Sequence, residues 1–164
     1  QNKLPLYNLR LSNLSAAIIR PQLEELPRRV RDGLRNHDHL AARLNDCTWF
    51  DVPAPLEGER RAPDSIQFNL VGMTEAECDA FAAASAAHGM KVQIFGKSVD
   101  NARAFWNWQF LQDQPNLPQT RAMLMKACDV RLPARLSIAD CDLVADALLD
   151  AITAAMSQKA HVAA

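Results

Sequence analysis

The sequence predicts an α+β domain: a small, mostly antiparallel sheet of three to four strands with helices on one face, preceded by a long kinked helix. Three observations lead there. Apolar residues recur at helical spacing from Asn13 to Leu44, with Pro21 and Pro27 inside the run. Two short segments alternate polar and apolar residues, with a capped helical stretch between them. A further capped helical pattern follows Ser137 and runs towards the end of the chain.

Residues Lys3 to Leu11 read as extended, because Pro5 disfavours a helix and Leu4, Leu6, Leu9 and Leu11 are interspersed with polar groups. Ser12 or Asn13 then caps the long helix. Its stripe is Ile19, Leu23, Leu26, Val30, Leu34, Leu40 and Leu44, with His37 at helical spacing in the gap. Each of the two prolines removes a backbone hydrogen bond, so the helix should kink or split. Its roughly 32 residues at 1.5 Å each span about 48 Å if straight. A compact domain of this size has a radius of gyration of only about 15 Å. Such a helix overhangs its own domain and needs a second surface to cover it. The small, apolar turns Leu14-Ser15-Ala16-Ala17-Ile18-Ile19 suit close docking.

A polar, proline-rich loop follows from Asp51 to Asp64. Ser65 to Val71 alternates as a strand. Thr74 and Glu77 form a capping box for a helix through about His88, ended by Gly89. Lys91 to Phe95 reads as a second strand, closed by Gly96. The stretch Asn101 to Phe110 is irregular and rich in aromatics and amides. A short helix is expected over Leu117 to Ala127, and a short strand over Asp129 to Leu132, stopped by Pro133. Ser137 caps the last helix, from about Ile138 to Met156. The expected organisation is an extended segment and interdomain-type helix over 1–45, an α+β small domain over 46–157, and a disordered tail over 158–164.

Composition narrows the function. The 164 residues carry a net charge of −1, which offers no basic field for nucleic acid or anionic lipid. No apolar run approaches the roughly 20 residues needed to span a bilayer, and Gln1 to Arg10 lacks a signal-peptide core. A cytoplasmic protein is expected, with neither nucleic-acid nor membrane partners. With Gln1 in place of an initiator Met, the chain reads as a piece of a longer one. Cys47, Cys78, Cys128 and Cys141 are widely spaced and fit buried, reduced thiols better than zinc ligands, with one or two disulfides as the alternative.

The five glycines are too scattered to build a phosphate cradle. His37 and His39 face different directions on a helix and make a poor metal pair, so they read as solvated or capping histidines. Two segments stand out. Asn8 and Arg10 share one face of an extended segment just before a helix, an arrangement that suits an anion or local backbone bridging. Phe95-Gly96-Lys97, Asn101-Ala102-Arg103 and Phe105-Trp106-Asn107-Trp108 read as a packed loop with aromatic anchors, lining a cleft or forming a core or interface.

The run Asn8-x-Arg10-Leu11-Ser12-Asn13-Leu14-x-Ala16-Ala17-Ile18, continued by Gln22-Leu23-x-x-Leu26, resembles a signature of the DegT/DnrJ/StrS family of pyridoxal-phosphate-dependent aminotransferases of fold type I. Asp64 to Phe68, Gly89-x-x-Val92, and Leu132-Pro133 followed by Leu136-Ser137 extend the resemblance over nearly the whole chain. The resemblance implies the C-terminal part of an aminotransferase, with the Schiff-base lysine on a missing N-terminal large domain. None of Lys3, Lys91, Lys97, Lys126 and Lys159 has the family's lysine context. It further implies pyridoxal phosphate as cofactor of the intact enzyme, none bound by this chain alone, and a homodimer in which Asn8, and less strongly Arg10, reaches the neighbouring subunit's cofactor phosphate. Lys97, Asn101 and Arg103 become candidate substrate-side residues. The Phe105 to Phe110 region departs from the family's His/Tyr-rich loop, which puts a nucleotide-sugar substrate in question. Two other readings remain: a non-catalytic assembly or ligand-binding module, and a small enzyme using Lys97 and Arg103 on an anionic substrate.

Overall fold

The computed structural model describes residues 12–99 and 101–162, apart from the side chains of 158–162. The extended Lys3 to Leu11 segment, with Asn8 and Arg10, lies outside the described residues.

The long helical stripe is one run of sequence and three pieces of structure. Helix α1 covers Asn13–Ile19, a 3-10 turn covers Arg20–Leu23, and helix α2 covers Leu26–Asn45. Ser12 caps α1 by accepting from Ser15 N at 3.1 Å. Pro21 and Pro27 each sit in the first turn of the piece that follows the break, where a missing N–H costs nothing. The prolines therefore divide the helix at positions where their own missing N–H is not needed.

Four strands form the sheet: β1 (Phe50–Asp51), β2 (Ser65–Leu70), β3 (Gln93–Ile94) and β4 (Ala127–Arg131). Their order is β1-β2-β4-β3 and every pairing is antiparallel. The remaining helices are α3 (Glu75–Ala87), α4 (Pro118–Leu124) and α5 (Ile138–Val162), with a 3-10 turn at Phe105–Asn107. The expected second strand shrinks to two paired residues, and the expected last helix runs on to Val162. The expected short strand at Asp129 to Leu132 starts earlier and lies in the middle of the sheet. Both of its faces are covered, so its sequence shows no alternation.

Alternation on β2 turns Ile66, Phe68 and Leu70 towards the helices. Cys128 and Val130 of β4 join them, packed with Leu40 and Leu44 of α2, Cys78 and Phe81 of α3, and Leu148 and Ile152 of α5. Phe50, Phe68 and Phe81 meet edge to face at centroid distances of 5.2, 5.7 and 6.3 Å. Each buried ring stabilises the fold by about 1.5–3 kcal/mol through apolar burial. A second, smaller cluster of Phe95, Phe105, Leu124 and Ala127 lies apart from this core.

The helix caps predicted at Thr74 and Ser137 form as reciprocal boxes. Glu77 N donates to Thr74 Oγ1 at 3.3 Å and Thr74 N to Glu77 Oε2 at 2.7 Å. Asp140 N donates to Ser137 Oγ at 3.1 Å and Ser137 N to Asp140 Oδ2 at 2.8 Å. All four cysteines are free, with Cys78, Cys128 and Cys141 buried. Burial pushes the thiols of Cys78, Cys128 and Cys141 up from the ordinary cysteine value.

His37 departs from its expected solvated or capping role. It is buried among α2 and the proline-rich strap that follows β1. The cause is a close approach that no local pattern reveals: the Pro63 carbonyl lies where a Cβ on Gly33 would be, 2.6 Å away. Asn36, fully buried, holds the other side of α2 by donating to Leu136 O at 3.0 Å.

Candidate functional site

The chemistry-bearing residues of the sequence gather in the loop after β3. Gly96 opens it, and a Cβ there would meet Met125 Sδ at 2.5 Å and Leu124 O at 3.0 Å. The absent side chain lets the Gly96 amide donate to Leu124 O at 2.8 Å, which ties the loop to α4. Lys97 then turns back to α3. Its Nζ lies 2.7 Å from Asp79 Oδ2 and 3.9 Å from Glu75 Oε2, and donates to Glu75 O at 3.4 Å.

Asn101 is buried and accepts from Arg103 N at 2.9 Å, so its amide shapes the turn. Asn107 Nδ2 donates to Ser98 O at 3.0 Å and to Asn101 O at 3.1 Å, lacing the two ends of the loop together. Trp108 Nε1 donates to Ala102 O. Arg103 lies with its guanidinium 4.4 Å from the Phe95 ring centroid, and Arg121 of α4 lies at the same distance over Trp106. Phe105 meets Trp106 edge to face at 5.1 Å, and Trp108 stacks on Phe110 at 5.5 Å.

The structure thus brings Lys97, Asn101 and Arg103 into one loop but gives their polar groups different work. Lys97 neutralises α3 carboxylates and Asn101 holds backbone. Arg103 is exposed and pairs with no carboxylate among the described residues. Arg121 was absent from the sequence expectations because its partner, Trp106, is remote in sequence and no local spacing links them.

A second polar cluster joins α2 to α5. His39 Nε2 lies 2.7 Å from Asp142 Oδ1, and Arg43 donates to Asp142 Oδ1 at 3.1 Å and to Asp146 Oδ1 at 2.8 Å. The His39 hydrogen bond, followed by that from Arg43, holds the Asp142 carboxyl below its ordinary value. This cluster locks the two helices together. Among the described residues, no group of three or more His, Cys, Asp or Glu side chains could hold a metal ion.

Alongside these polar groups, the start of the helical run is left bare. Leu14 is 71% exposed and Leu23 57%, and Ile18, Ile19 and Leu26 are exposed with them. The fold is a small α+β domain whose first described helix keeps an apolar face uncovered, a feature that marks an interaction surface.

The model of the DegT/DnrJ/EryC1/StrS aminotransferase family matches residues 1–149, and the chain belongs to that family. Among solved structures, the fold is similar to a putative sugar aminotransferase from Streptococcus pneumoniae in its apo form. The TM-score is 0.75 at 14% identity, over 95% of this chain and 39% of that one. It is similar to the Helicobacter pylori aminotransferase involved in the biosynthesis of pseudoaminic acid, with a TM-score of 0.74 at 14% identity, over 90% of this chain and 39% of that one. An Escherichia coli GDP-4-keto-6-deoxy-D-mannose-3-dehydratase with bound hydrated PLP gives 0.65 at 17% identity, over 88% of this chain and 37% of that one. At these identities the likeness is one of fold. No curated protein matches the sequence. The chain spans less than two-fifths of the length of each of these three structures.

Pyridoxal phosphate is consistent with this family. An imine-forming lysine needs a free amine in an enclosed site. Lys97 is ion-paired with Asp79, and Lys91 lines an open groove with Ala82, Ala86 and Met90. Among the described residues no helix is long and apolar enough to cross a membrane.

Proposed function

We propose that this chain is the C-terminal portion of a pyridoxal-phosphate-dependent aminotransferase, inactive alone, which in the intact cytoplasmic homodimer closes one side of the active site. The observation that carries this reading is the family match over residues 1–149. Two further observations support it: the chain spans about 39% of a similar structure, and its α1 face is apolar and uncovered. A lysine-bearing large domain would cover that face. The intact enzyme would move an amino group from an amino-acid donor to a keto compound, with the cofactor supplying the carbon-acid chemistry. This chain's part is positioning: Asn8 and Arg10 would bind the cofactor phosphate of the neighbouring subunit. Arg103, exposed and free of carboxylates, is the best placed of the three loop candidates to meet an anionic substrate group; Asn101 would hold its backbone. Lys97 is held by Asp79, which also argues against a small independent enzyme built on Lys97 and Arg103.

The test is reconstitution. The chain alone, incubated with pyridoxal phosphate and reduced with borohydride, should show no site-specific pyridoxyl adduct by mass spectrometry. Joined to the lysine-bearing large domain of its own reading frame, it should retain cofactor and transaminate, and Asn8→Ala should weaken retention. A specific adduct on the chain alone, or a reading frame with no such domain, overturns the assignment; the latter would favour a non-catalytic module.

A further inference from the structure

The proline-rich strap between β1 and β2 crosses α2 and leaves a cleft on each side of the crossing. One cleft, of about 380 Å³, is lined by His37, Pro53, Arg61, Pro63, Ser65 and Gln67, and also by Glu59 and Asp64. The other, of about 350 Å³, shares His37, Pro53, Glu59 and Arg61. Both volumes fall at the lower end of the range for small-molecule sites.

The walls are pre-built. Asn45 accepts from Val52 N at 2.8 Å and anchors the start of the strap. Glu59 accepts from Leu56 N at 2.8 Å and from Arg61 Nε at 2.7 Å, and Arg61 donates to Pro53 O at 3.1 Å. The Gly33–Pro63 approach fixes the far end. Little of this surface would need ordering when a ligand arrives.

Its hydrogen-bonding groups are unspent. The His37 side chain is 9% exposed, and its Nδ1 lies 3.4 Å from Asp38 Oδ1. Its Nε2 has no partner among the described residues, and neither do the Ser65 hydroxyl and the Gln67 amide. Of these three residues His37 is buried, Ser65 half-buried and Gln67 exposed, so solvent serves the latter two until a ligand displaces it. The charges, by contrast, are matched: Glu59 by Arg61, and Asp64 by Arg131 at 2.6 Å. A phosphate or carboxylate would meet Glu59 and Asp64, and a cation would meet Arg61. What fits is a neutral molecule with several donors and acceptors and with C–H faces to lie against Pro53, Ala62 and Pro63.

We infer that this strap cleft binds a neutral, polyhydroxylated ring compound of monosaccharide size, with His37, Ser65 and Gln67 as its hydrogen-bonding residues. The site uses only described residues of this chain. It includes none of the residues assigned above to cofactor or substrate, so it stands independently of the aminotransferase reading.

The test is a titration of the isotope-labelled chain, followed by nuclear magnetic resonance, with methyl glucopyranoside and with inositol as probes and glucose phosphate as the charged comparison. The expected result is saturable shifts at Ser65, Gln67 and the His37 ring with a dissociation constant of about 1 mM. Gln67→Ala, on an exposed side chain whose loss spares the sheet ladder, should weaken binding about fivefold, the size of one neutral hydrogen bond. Absence of saturable shifts with either polyol overturns the inference. So does binding that Gln67→Ala leaves unchanged, or tighter binding of the phosphate than of the neutral sugar.

Discussion

At Gly33 a single missing methyl decides how the strap meets α2. Glycine in the middle of a helix costs roughly 1 kcal/mol relative to alanine. Here it is retained beside a backbone carbonyl, Pro63 O, that cannot swing aside as a flexible side chain would. Gly33→Ala should therefore lower stability by about 1–2 kcal/mol despite the gain in helix propensity. Urea denaturation measures this, and a rise in the midpoint would mean that the strap yields freely. The sequence hid the contact. Its helical period runs through Gly33, Asn36 and His37 without interruption, while Gly33 meets Pro63 and Asn36 bonds Leu136, 30 and 100 residues further on. His37 read as solvent-facing because spacing reports which residues share a face, not what crosses over that face. The loop residues were more legible: Lys97, Asn101 and Arg103 do sit together. That Lys97 would be tied to Asp79 depended on the packing of α3.

The elements that local chemistry specifies formed where the sequence placed them. Both capping boxes are of this kind, since each needs only two side chains three residues apart. The ladders of β1 and β3 hold two residues each and leave almost no periodic signal. Their pairing is a property of the sheet, not of the segment. The cap of α5 makes a pH prediction. Asp140 accepts the Ser137 N–H and then its hydroxyl, and these hold its carboxyl below the ordinary value near 3.8. A carboxyl whose folded pKa is depressed contributes stability above its unfolded value and loses that contribution as pH falls through the folded one. Stability should therefore decline below about pH 4. Asp140→Asn should flatten that acid limb while leaving the slope above pH 5 unchanged. Denaturant titrations at a series of pH values check this, and identical acid limbs would remove Asp140 from the account.

Among the described residues the molecule has a main core, a smaller second cluster and a bare apolar flank. An overhang was legible in the sequence, because a helical stripe longer than the domain must run past its own core. The structure adds that the helix breaks at both prolines and that five large apolar residues, from Leu14 to Leu26, stay uncovered. In isolation such a flank should drive self-association. Replacing Leu14, Ile18 and Leu23 together by Ser should return the chain to a monomer in sedimentation velocity at an unchanged melting temperature. Persistent association would place the sticky surface elsewhere. The Asn8 and Arg10 edge is the part of the candidate site that the sequence alone proposes, through the pattern Asn-x-Arg.

The strap also sets the width of the sheet. β1 pairs with β2 only at Asn69 and Leu70, so Ser65 to Phe68 have a ladder partner on one side alone, β4. An open edge of this kind invites a further strand, from this chain or another. The chain that passes nearest cannot become that strand, because Asn45 diverts Val52 and because Pro53, Pro55 and Pro63 have no N–H to offer. Residues could be added at the exposed Glu57–Gly58 turn without shifting any register, since nothing inserted there would touch the ladder. The strap therefore cannot itself supply a fifth strand, although it runs beside an edge that has room for one.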